Sequence, residues 1–240
     1  MNMITPDTTT SIFFSFLFLF LSPANSIFVE VTPHDKFSSN GALGCKININ
    51  RIAYWPMYPD CNNMCVRITA QATGYSVYVL HTDQSVAAHD ISYDAWNFLG
   101  TGKSAKDDPR TGGAIKADYE FVPMENCHDI LAQGTLPIMA SSPNFYFGCP
   151  SSSWVGQHST FWNIWDQQCT LGVDEECQFD PGMNQATCPT NQLTGVGTRP
   201  LIGMQIYDIP YKDTAPALNL PDTGTPNVLV TRAVEVSTRV

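Results

Sequence analysis

The sequence has few charged residues, and few of those are basic. Only 14% of its 240 residues are charged, and 12 lysines and arginines stand against 22 aspartates and glutamates, giving a formal net charge of −10 at pH 7. A protein that neutralises a phosphate backbone needs a concentrated basic surface. The composition therefore argues against nucleic acid as a partner.

The sequence also lacks an apolar run as long as the roughly 20 residues that a membrane-spanning helix needs. Its longest run lies in SIFFSFLFLFLSPANS, residues 11–26, and is unbroken for about 12 residues. Ala24 and Ser26 are placed like the small residues that precede a signal-peptidase cut. We therefore predict a signal peptide over residues 1–26, although no Lys or Arg precedes Ser11. A membrane anchor is the alternative, and no membrane contact is expected after cleavage.

No Asn-x-Ser/Thr triplet occurs, so no N-linked glycan is expected. Cysteine, by contrast, is plentiful and lies entirely beyond the predicted cut. The eight residues are Cys45, Cys61, Cys65, Cys127, Cys149, Cys169, Cys177 and Cys188. An even number in a secreted chain indicates disulfides, although the sequence cannot choose the pairing. Zinc is the alternative at Cys61 and Cys65, but no second such pair follows. We expect four disulfides, no metal and no cofactor.

Short alternating segments fill the region from Gly41 to Cys127. They are RIAYWP (51–56), CVRITAQ (65–71), YSVYVLHTD (75–83) and AIKADYEFV (114–122). Gly74 lies between two of them and indicates a hairpin. ISYDAWNFLG (91–100) predicts a helix capped by Ser92, with Trp96 and Leu99 on one face and an end at Gly100. Several short strands and one brief helix predict a small closed β-barrel.

The regions outside this segment differ in composition. Residues 27–40 are predicted to be a polar lead-in, and residues 128–190 a Cys-containing extension. Within the extension, residues 152–169 predict a helix with one aromatic side. That side would carry Trp154, His158, Phe161, Trp162 and Trp165. Residues 191–240 are rich in Pro and Thr and are predicted to be a flexible tail. Removal of this tail is expected to leave the melting point nearly intact. Residues 227–236 nevertheless alternate well enough to form an edge strand.

The barrel segments occur in a familiar order. GALGC, RIAYWP, CVRITA, VYVLHTDQS, HDISYDAWNFL and GGAIKADYEFVPMENC follow one another between residues 41 and 127. This order resembles the six-stranded double-psi β-barrel of expansins, barwin, kiwellins, cerato-platanin-like proteins and family 45 endoglucanases. HDIS, residues 89–92, is similar to the His-Phe-Asp-Leu-Ser box of those barrels. Gln84-Ser85 stands where expansins usually have Cys-Pro, and nothing downstream resembles their second domain. The resemblance implies a secreted protein of fungal origin.

The resemblance draws attention to two aspartates. Asp90 matches the box aspartate, which is the general acid of the endoglucanases and is retained in non-hydrolytic expansins. Asp83 matches the aspartate that closes the preceding strand. Because glycoside hydrolysis takes two carboxyl groups, both are candidate catalytic residues if the protein is an enzyme. A structural role is the alternative, since Asp90 precedes a helix and Asp83 ends a strand.

Aromatic and histidine side chains near these aspartates complete a candidate ligand-binding set. Planar rings that line a groove stack on the apolar faces of sugars. The set is Tyr54, Trp55, Tyr58, His81, Asp83, His89, Asp90 and Tyr93. Strand alternation requires either Tyr54 or Trp55 to point outward.

We therefore predict a secreted, monomeric double-psi barrel that binds a cell-wall or other extracellular polysaccharide beside Asp83 and Asp90 without hydrolysing it. Two alternatives are open. One is an effector-type module that binds a host or extracellular protein, and the other is an endoglucanase with Asp90 as its general acid.

Overall fold

Six strands close into a barrel in a computed structural model that describes residues 26–179, 183, 185–190, 199–204 and 206–220. The strands are β1 (Ile27–His34), β2 (Ile52–Trp55), β3 (Cys65–Ala70), β4 (Ser76–Gln84), β5 (His89–Ser92) and β6 (Ile115–Phe121). Around the barrel they run in the order β1, β5, β2, β4, β3, β6. The β1–β5 and β2–β4 pairs are parallel and the other four are antiparallel. This mixed closed barrel fits the double-psi type and confirms the predicted fold class.

The barrel begins earlier in the chain than the sequence suggested. Residues 27–40 were predicted to be a polar lead-in, but β1 occupies residues 27–34 and pairs with β5 on one side and β6 on the other. Val29 and Val31 face the interior and are buried, whereas Glu30 between them is exposed. The prediction was wrong because three polar residues in this stretch mask an alternating strand.

One helix, α1 (Tyr93–Thr101), follows β5 directly. Trp96 and Leu99 are fully buried on its inner face, as predicted. Its C-terminal cap is Gly102 rather than Gly100, with a φ of 73° that suits glycine. Ser92 makes no side-chain cap, and its hydroxyl instead accepts a hydrogen bond from the amide of Ile52 at 3.2 Å. The helix start is therefore fastened to β2.

Part of the barrel wall, around β2 and β4, is buried on both sides. Inward residues such as Ala53, Ile68 and Ile91 form one apolar cluster, and outward residues such as Ile52 and Leu80 belong to another. That second cluster includes residues from beyond the barrel, which cover the outer surface of β2 and β4. Because both faces are covered, all four residues of β2 are buried.

The covering layer is the extension. It contains a three-stranded sheet in the order β7, β8, β9 and two single-turn helices. These elements are β7 (Leu136–Met139), α2 (Asn144–Phe147), α3 (Trp154–Gln157), β8 (Ser159–Ile164) and β9 (Gly172–Cys177). The helix predicted over residues 152–169 was wrong, because only its first turn is helical and β8 follows. Alternating Phe161 and Trp162 then contact different apolar clusters.

All eight cysteines are paired, which confirms the predicted four disulfides. The pairs are Cys45–Cys169, Cys61–Cys149, Cys65–Cys127 and Cys177–Cys188. The first two join the barrel segment to the extension, and the third joins β3 to the turn after β6. Such a complement of disulfides is consistent with an oxidising, extracellular environment. Among the described residues, no helix has both the length and the apolar character to cross a membrane.

Part of the predicted flexible tail lies on the barrel. Residues 206–220 pack Ile209, Tyr211 and Leu218 against the inner apolar cluster, where α1 closes one end of the barrel. The amide of Leu218 donates to the carbonyl of Thr111 at 2.7 Å. Over these residues, within the segment predicted to be flexible, the chain thus packs against the barrel. Residues 1–25 of the predicted signal peptide and residues 221–240, which include the possible strand at 227–236, lie outside the described residues.

The disulfides should differ in their contribution to stability. Cys61–Cys149 closes a separation of 88 residues and Cys177–Cys188 one of 11. In the chain-entropy model the first stabilises the fold by about 4.5 kcal/mol and the second by about 3 kcal/mol. Replacing each pair with alanine and measuring urea unfolding should therefore give the larger loss for Cys61–Cys149. An equal loss for both pairs would contradict the entropic argument.

The docking of residues 206–220 can be tested through Gly100 in α1. A Cβ atom added at Gly100 would lie 2.5 Å from Cδ2 of Leu218. Gly100→Ala should gain up to about 1 kcal/mol of helix propensity only after Leu218→Ala removes that contact. Chemical denaturation of the two single variants and the double variant measures this coupling. Identical effects of Gly100→Ala in both backgrounds would show that Leu218 does not pack there.

Candidate functional site

Four outward positions lie side by side across the barrel wall. Thr32 of β1 pairs with Asp90 of β5, Asp90 pairs with Tyr54 of β2, and Tyr54 pairs with Asp83 of β4. We call these four residues the aspartate row. Because neighbouring strands are about 4.8 Å apart, the Cα atoms of Asp83 and Asp90 are about 10 Å apart with Tyr54 between them. The structure thus brings both sequence-predicted aspartates to one stretch of wall.

A β-bulge gives Asp83 its place in the row. Between Ala53 and Tyr54 the register with β4 shifts, so that Ala53 pairs with His81 but Tyr54 pairs with Asp83. Residues two apart in a regular strand share a face, and one extra residue moves the next side chain to the opposite face. His81 consequently belongs to the inner side of the wall and Asp83 to the outer side. Thr82 is the extra residue, and its hydroxyl donates to the carbonyl of Ser38 at 3.1 Å.

Both carboxylates are partly exposed and accept local hydrogen bonds. The Thr32 hydroxyl donates to Oδ1 of Asp90. Oδ1 of Asp83 accepts from the amide of Gln84 at 2.8 Å. Within the described residues, the other oxygen of each carboxylate accepts no hydrogen bond from the protein, so each of these partly exposed side chains keeps acceptor capacity.

Tyr54 is buried in the middle of the row. Only 4% of its surface is exposed, and its hydroxyl donates to the carbonyl of Lys36 at 3.1 Å and accepts from the amide of Ser38 at 3.2 Å. The His34 ring meets it edge-on at 4.8 Å. Burial raises the pKa of Tyr54 well above its ordinary value, and the nearby carboxylates add to this. Tyr54 is therefore a neutral support that holds residues 34–38 over the wall.

A further carboxyl group, from residues 206–220, lies near Tyr54. Asp208 is among the charges that raise the Tyr54 pKa, and partial burial together with Asp35 raises the pKa of Asp208 itself. Lys36, which follows Asp35 in sequence, is exposed. The surroundings of the row are therefore predominantly acidic.

Aromatic rings fill the inner side of the wall behind the row. Trp55 contacts His89 at 4.9 Å, Tyr119 at 5.4 Å and His81 at 6.1 Å between ring centroids. His89 faces inward because it immediately precedes outward Asp90. The candidate histidines and aspartates thus lie on opposite faces of the same strands. No group of three or more His, Cys, Asp or Glu suited to hold a metal ion occurs in the part of the chain that the structure describes.

The protonation state of His81 follows from its burial. The side chain is 1% exposed, and burial lowers its pKa to about 4. Its Nε2 lies 3.0 Å from the carbonyl oxygen of Asp83, which can only accept. At neutral pH His81 therefore carries its proton on Nε2, and Nδ1 is an acceptor. Neither His81 Nδ1 nor Trp55 Nε1 has a hydrogen-bond partner among the described residues.

The remaining candidates do not join the row. Tyr54 and Trp55 are both buried. Strand alternation required one of them to point outward, and Tyr54 does so, but other residues cover the outer face of β2. Tyr58 is 72% exposed in the loop after β2. Tyr93 is buried, its hydroxyl donates to the carbonyl of Arg110 at 2.8 Å, and its ring contacts Tyr211. Tyr93 thus supports the helix end of the barrel and is not on the surface.

Sequence reasoning missed three neighbours of the aspartates. Thr32 and His34 lie in β1, which looked like a polar lead-in. Asp208 lies more than 100 residues further along the chain, in the segment predicted to be flexible. Alternation in residues 27–34 was the one available signal for the first two, and no local pattern marks the third.

Comparison with known proteins gives no family assignment. No protein-family model matches the sequence, and no curated protein matches it.

The burial of His81 predicts that acid destabilises the fold. Because its folded pKa of about 4 lies below the ordinary value of 6.5, the unfolded chain binds the proton first. Stability should fall as pH drops from about 6.5 to about 4, by about 3 kcal/mol from this group, and then change no further from it. His89, whose pKa burial also lowers, adds in the same direction.

Urea unfolding at several pH values measures this effect. His81→Gln should be less stable at pH 7 yet lose less stability on acidification than the parent chain. His128→Gln is the control, because the His128 side chain is 72% exposed. An unchanged pH profile in His81→Gln would rule out a buried neutral imidazole.

Proposed function

We propose that the protein is a secreted double-psi barrel of the expansin and barwin type that binds an extracellular or cell-wall polysaccharide along the aspartate row. The observation that carries the proposal is the row itself. Two partly exposed carboxylates lie on one wall, in register with a hydroxyl side chain and on either side of a rigidly held tyrosine. Carboxylates that accept hydrogen bonds from sugar hydroxyls bind carbohydrate without needing a charged ligand.

The spacing of the row favours binding over hydrolysis. A glycosidase needs its two carboxyl groups on either side of the scissile bond, with space for that bond between them. Here the wall between Asp83 and Asp90 is occupied by Tyr54, whose hydroxyl is covered by Lys36 and Ser38. A sugar chain lying over the row would reach both carboxylates from outside without placing a glycosidic oxygen between them.

The charge of the surroundings favours an uncharged polysaccharide. Asp83, Asp90 and Asp208 lie around Tyr54, Asp35 lies near Asp208, and exposed Lys36 is adjacent to Asp35 in sequence. Like charges repel at this range even when partly screened. A neutral glucan or chitin therefore fits this surface better than a uronic-acid polymer.

Removing either charge in the row should weaken binding. Asp83→Asn and Asp90→Asn each keep the side-chain shape but lose a charge-assisted acceptor, and each should raise the Kd for insoluble cellulose or chitin about tenfold. Asp129→Asn is the matched control, because the Asp129 side chain is fully exposed elsewhere. Depletion of the protein from solution by each polysaccharide measures the affinity. Equal depletion for all four proteins would exclude the row, and no depletion of the parent chain would favour the protein-binding alternative.

One observation favours a hydrolase as the second candidate. Inverting glycosidases hold their carboxyl groups roughly 6.5 to 9.5 Å apart, and the Cα separation of about 10 Å allows that range if the side chains lean together. An endoglucanase with Asp90 as general acid would release reducing sugar from soluble cellulose, and Asp90→Asn would abolish this. Binding without release of reducing sugar separates the two candidates.

A further inference from the structure

One end of the barrel is lined by exposed apolar side chains. Strands β2, β4 and β6 finish at this end, and β1, β3 and β5 begin there, because of their parallel and antiparallel pairing. Of the eleven exposed large apolar residues in the described part of the chain, six lie at it. They are Ile27, Phe28, Met57, Tyr58, Val86 and Phe121. We call this end, with its six residues, the barrel mouth.

The barrel mouth is continuous with the inner ring cluster. Phe121 is 37% exposed and contacts Tyr119 edge-on at 5.8 Å, and Tyr119 contacts both Trp55 and His89. Rings therefore extend from the surface into the barrel. The barrel mouth is also adjacent to the aspartate row, because Trp55, Gln84 and His89 are each one residue from a member of that row.

Two buried polar atoms lie at the inner end of this ring series without partners. Trp55 is fully buried and His81 is 1% exposed, yet Trp55 Nε1 and His81 Nδ1 have no hydrogen-bond partner in the described structure. An unpaired buried polar atom costs roughly 1 to 3 kcal/mol. The two rings are neighbours, with centroids 6.1 Å apart and planes tilted by 41°.

The pair is complementary to a hydroxyl group. Trp55 Nε1 only donates, and His81 Nδ1 accepts because Nε2 carries the proton. A group that bridges them must accept from Trp55 and donate to His81. A hydroxyl does both, whereas an ionised carboxylate has no proton to donate and an ammonium has no lone pair to accept with.

We propose that the barrel mouth is a subsite for one neutral sugar residue of the bound polysaccharide, whose hydroxyl bridges Trp55 Nε1 and His81 Nδ1. This inference rests on the proposed polysaccharide binding and adds a position to it. The sugar's apolar face lies on Tyr119 and Phe121, and its chain continues towards Asp90. Because Trp55 and His81 are buried, this binding mode requires the partly exposed His89, which contacts Trp55, to move aside. The loops of residues 56–64 and 84–88 contain no Lys or Arg, so nothing there would attract an anionic sugar.

Spectroscopy of the full chain tests the hydroxyl bridge. In ¹⁵N-labelled protein the Trp55 indole resonance is assigned by its loss in Trp55→Phe, and His81 Nδ1 by its acceptor-type ¹⁵N shift at pH 7. Adding cellopentaose or chitopentaose should shift both resonances in proportion to binding. If both stay fixed while the sugar binds, the orphan atoms are bridged by a buried water only and the subsite is overturned.

Affinity measurements on surface variants provide a second test that does not disturb the barrel interior. Phe121→Ala and Tyr58→Ala should each raise the oligosaccharide Kd at least fivefold, whereas Phe147→Ala, which is 47% exposed on the extension, should not. Loss of binding in Asp90→Asn with parent-like binding in Phe121→Ala and Tyr58→Ala would overturn the subsite and keep the row. No binding of either sugar by the parent chain would overturn both proposals.

Discussion

The hydroxyl group of Tyr54 is the interaction on which the outer wall depends. It bonds both to the carbonyl of Lys36 and to the amide of Ser38, and so fixes the chain that leaves β1 where it crosses the barrel. The same crossing brings Ser38 to Thr82 of β4. Because that segment is held in place, β1 stays in register with β5, and Thr32 stays within bonding distance of Asp90. The position of each carboxylate thus follows from a neutral, buried phenol.

The barrel wall lies between two apolar clusters around β2 and β4. Its inner face holds one apolar cluster, and much of its outer face is covered by the extension, with Cys45–Cys169 and Cys61–Cys149 tying the layers together. Ion pairs have a smaller part. The best buried one joins Arg51 to Asp94, which also accepts from Ser104 and the amide of Ala105. Asp94, an acid close in sequence to Asp90, is thereby committed to holding the loop after α1.

Most strands of the barrel could be predicted from local sequence, but the start of the barrel at β1 and the strands of the extension could not. Strands β3, β4 and β6 alternate strongly, and α1 has a clear apolar face, so their places were predictable. Trp154, Phe161 and Trp162 have a spacing that suits a helix as well as the two faces of a strand, so local periodicity does not distinguish the predicted helix from β8. The polar residues of β1 hid its inward valines. These errors arise where tertiary pairing, rather than local pattern, selects the conformation.

For the site, resemblance to a family identified Asp83 and Asp90, but the sequence could not say which way they faced. The bulge at Thr82 that separates Asp83 from His81 has no sequence signature here. Asp208 reaches Tyr54 only because residues 206–220 fold back, and Tyr93, chosen for its aromatic ring, proved to be an internal support. Positions along the chain were predictable where a motif existed, whereas side-chain direction was set by register.

The pairing of β1 with β6 has a consequence for how the molecule forms. The first strand of the barrel joins the last, so the cylinder has no free edge once both are in place. Until residues 115–121 form β6, β1 and β3 each lack one neighbour, and their unpaired edges can bind another chain. A second molecule could then supply its own β1 at the open position, and the product would be a domain-swapped dimer with every native strand pairing satisfied.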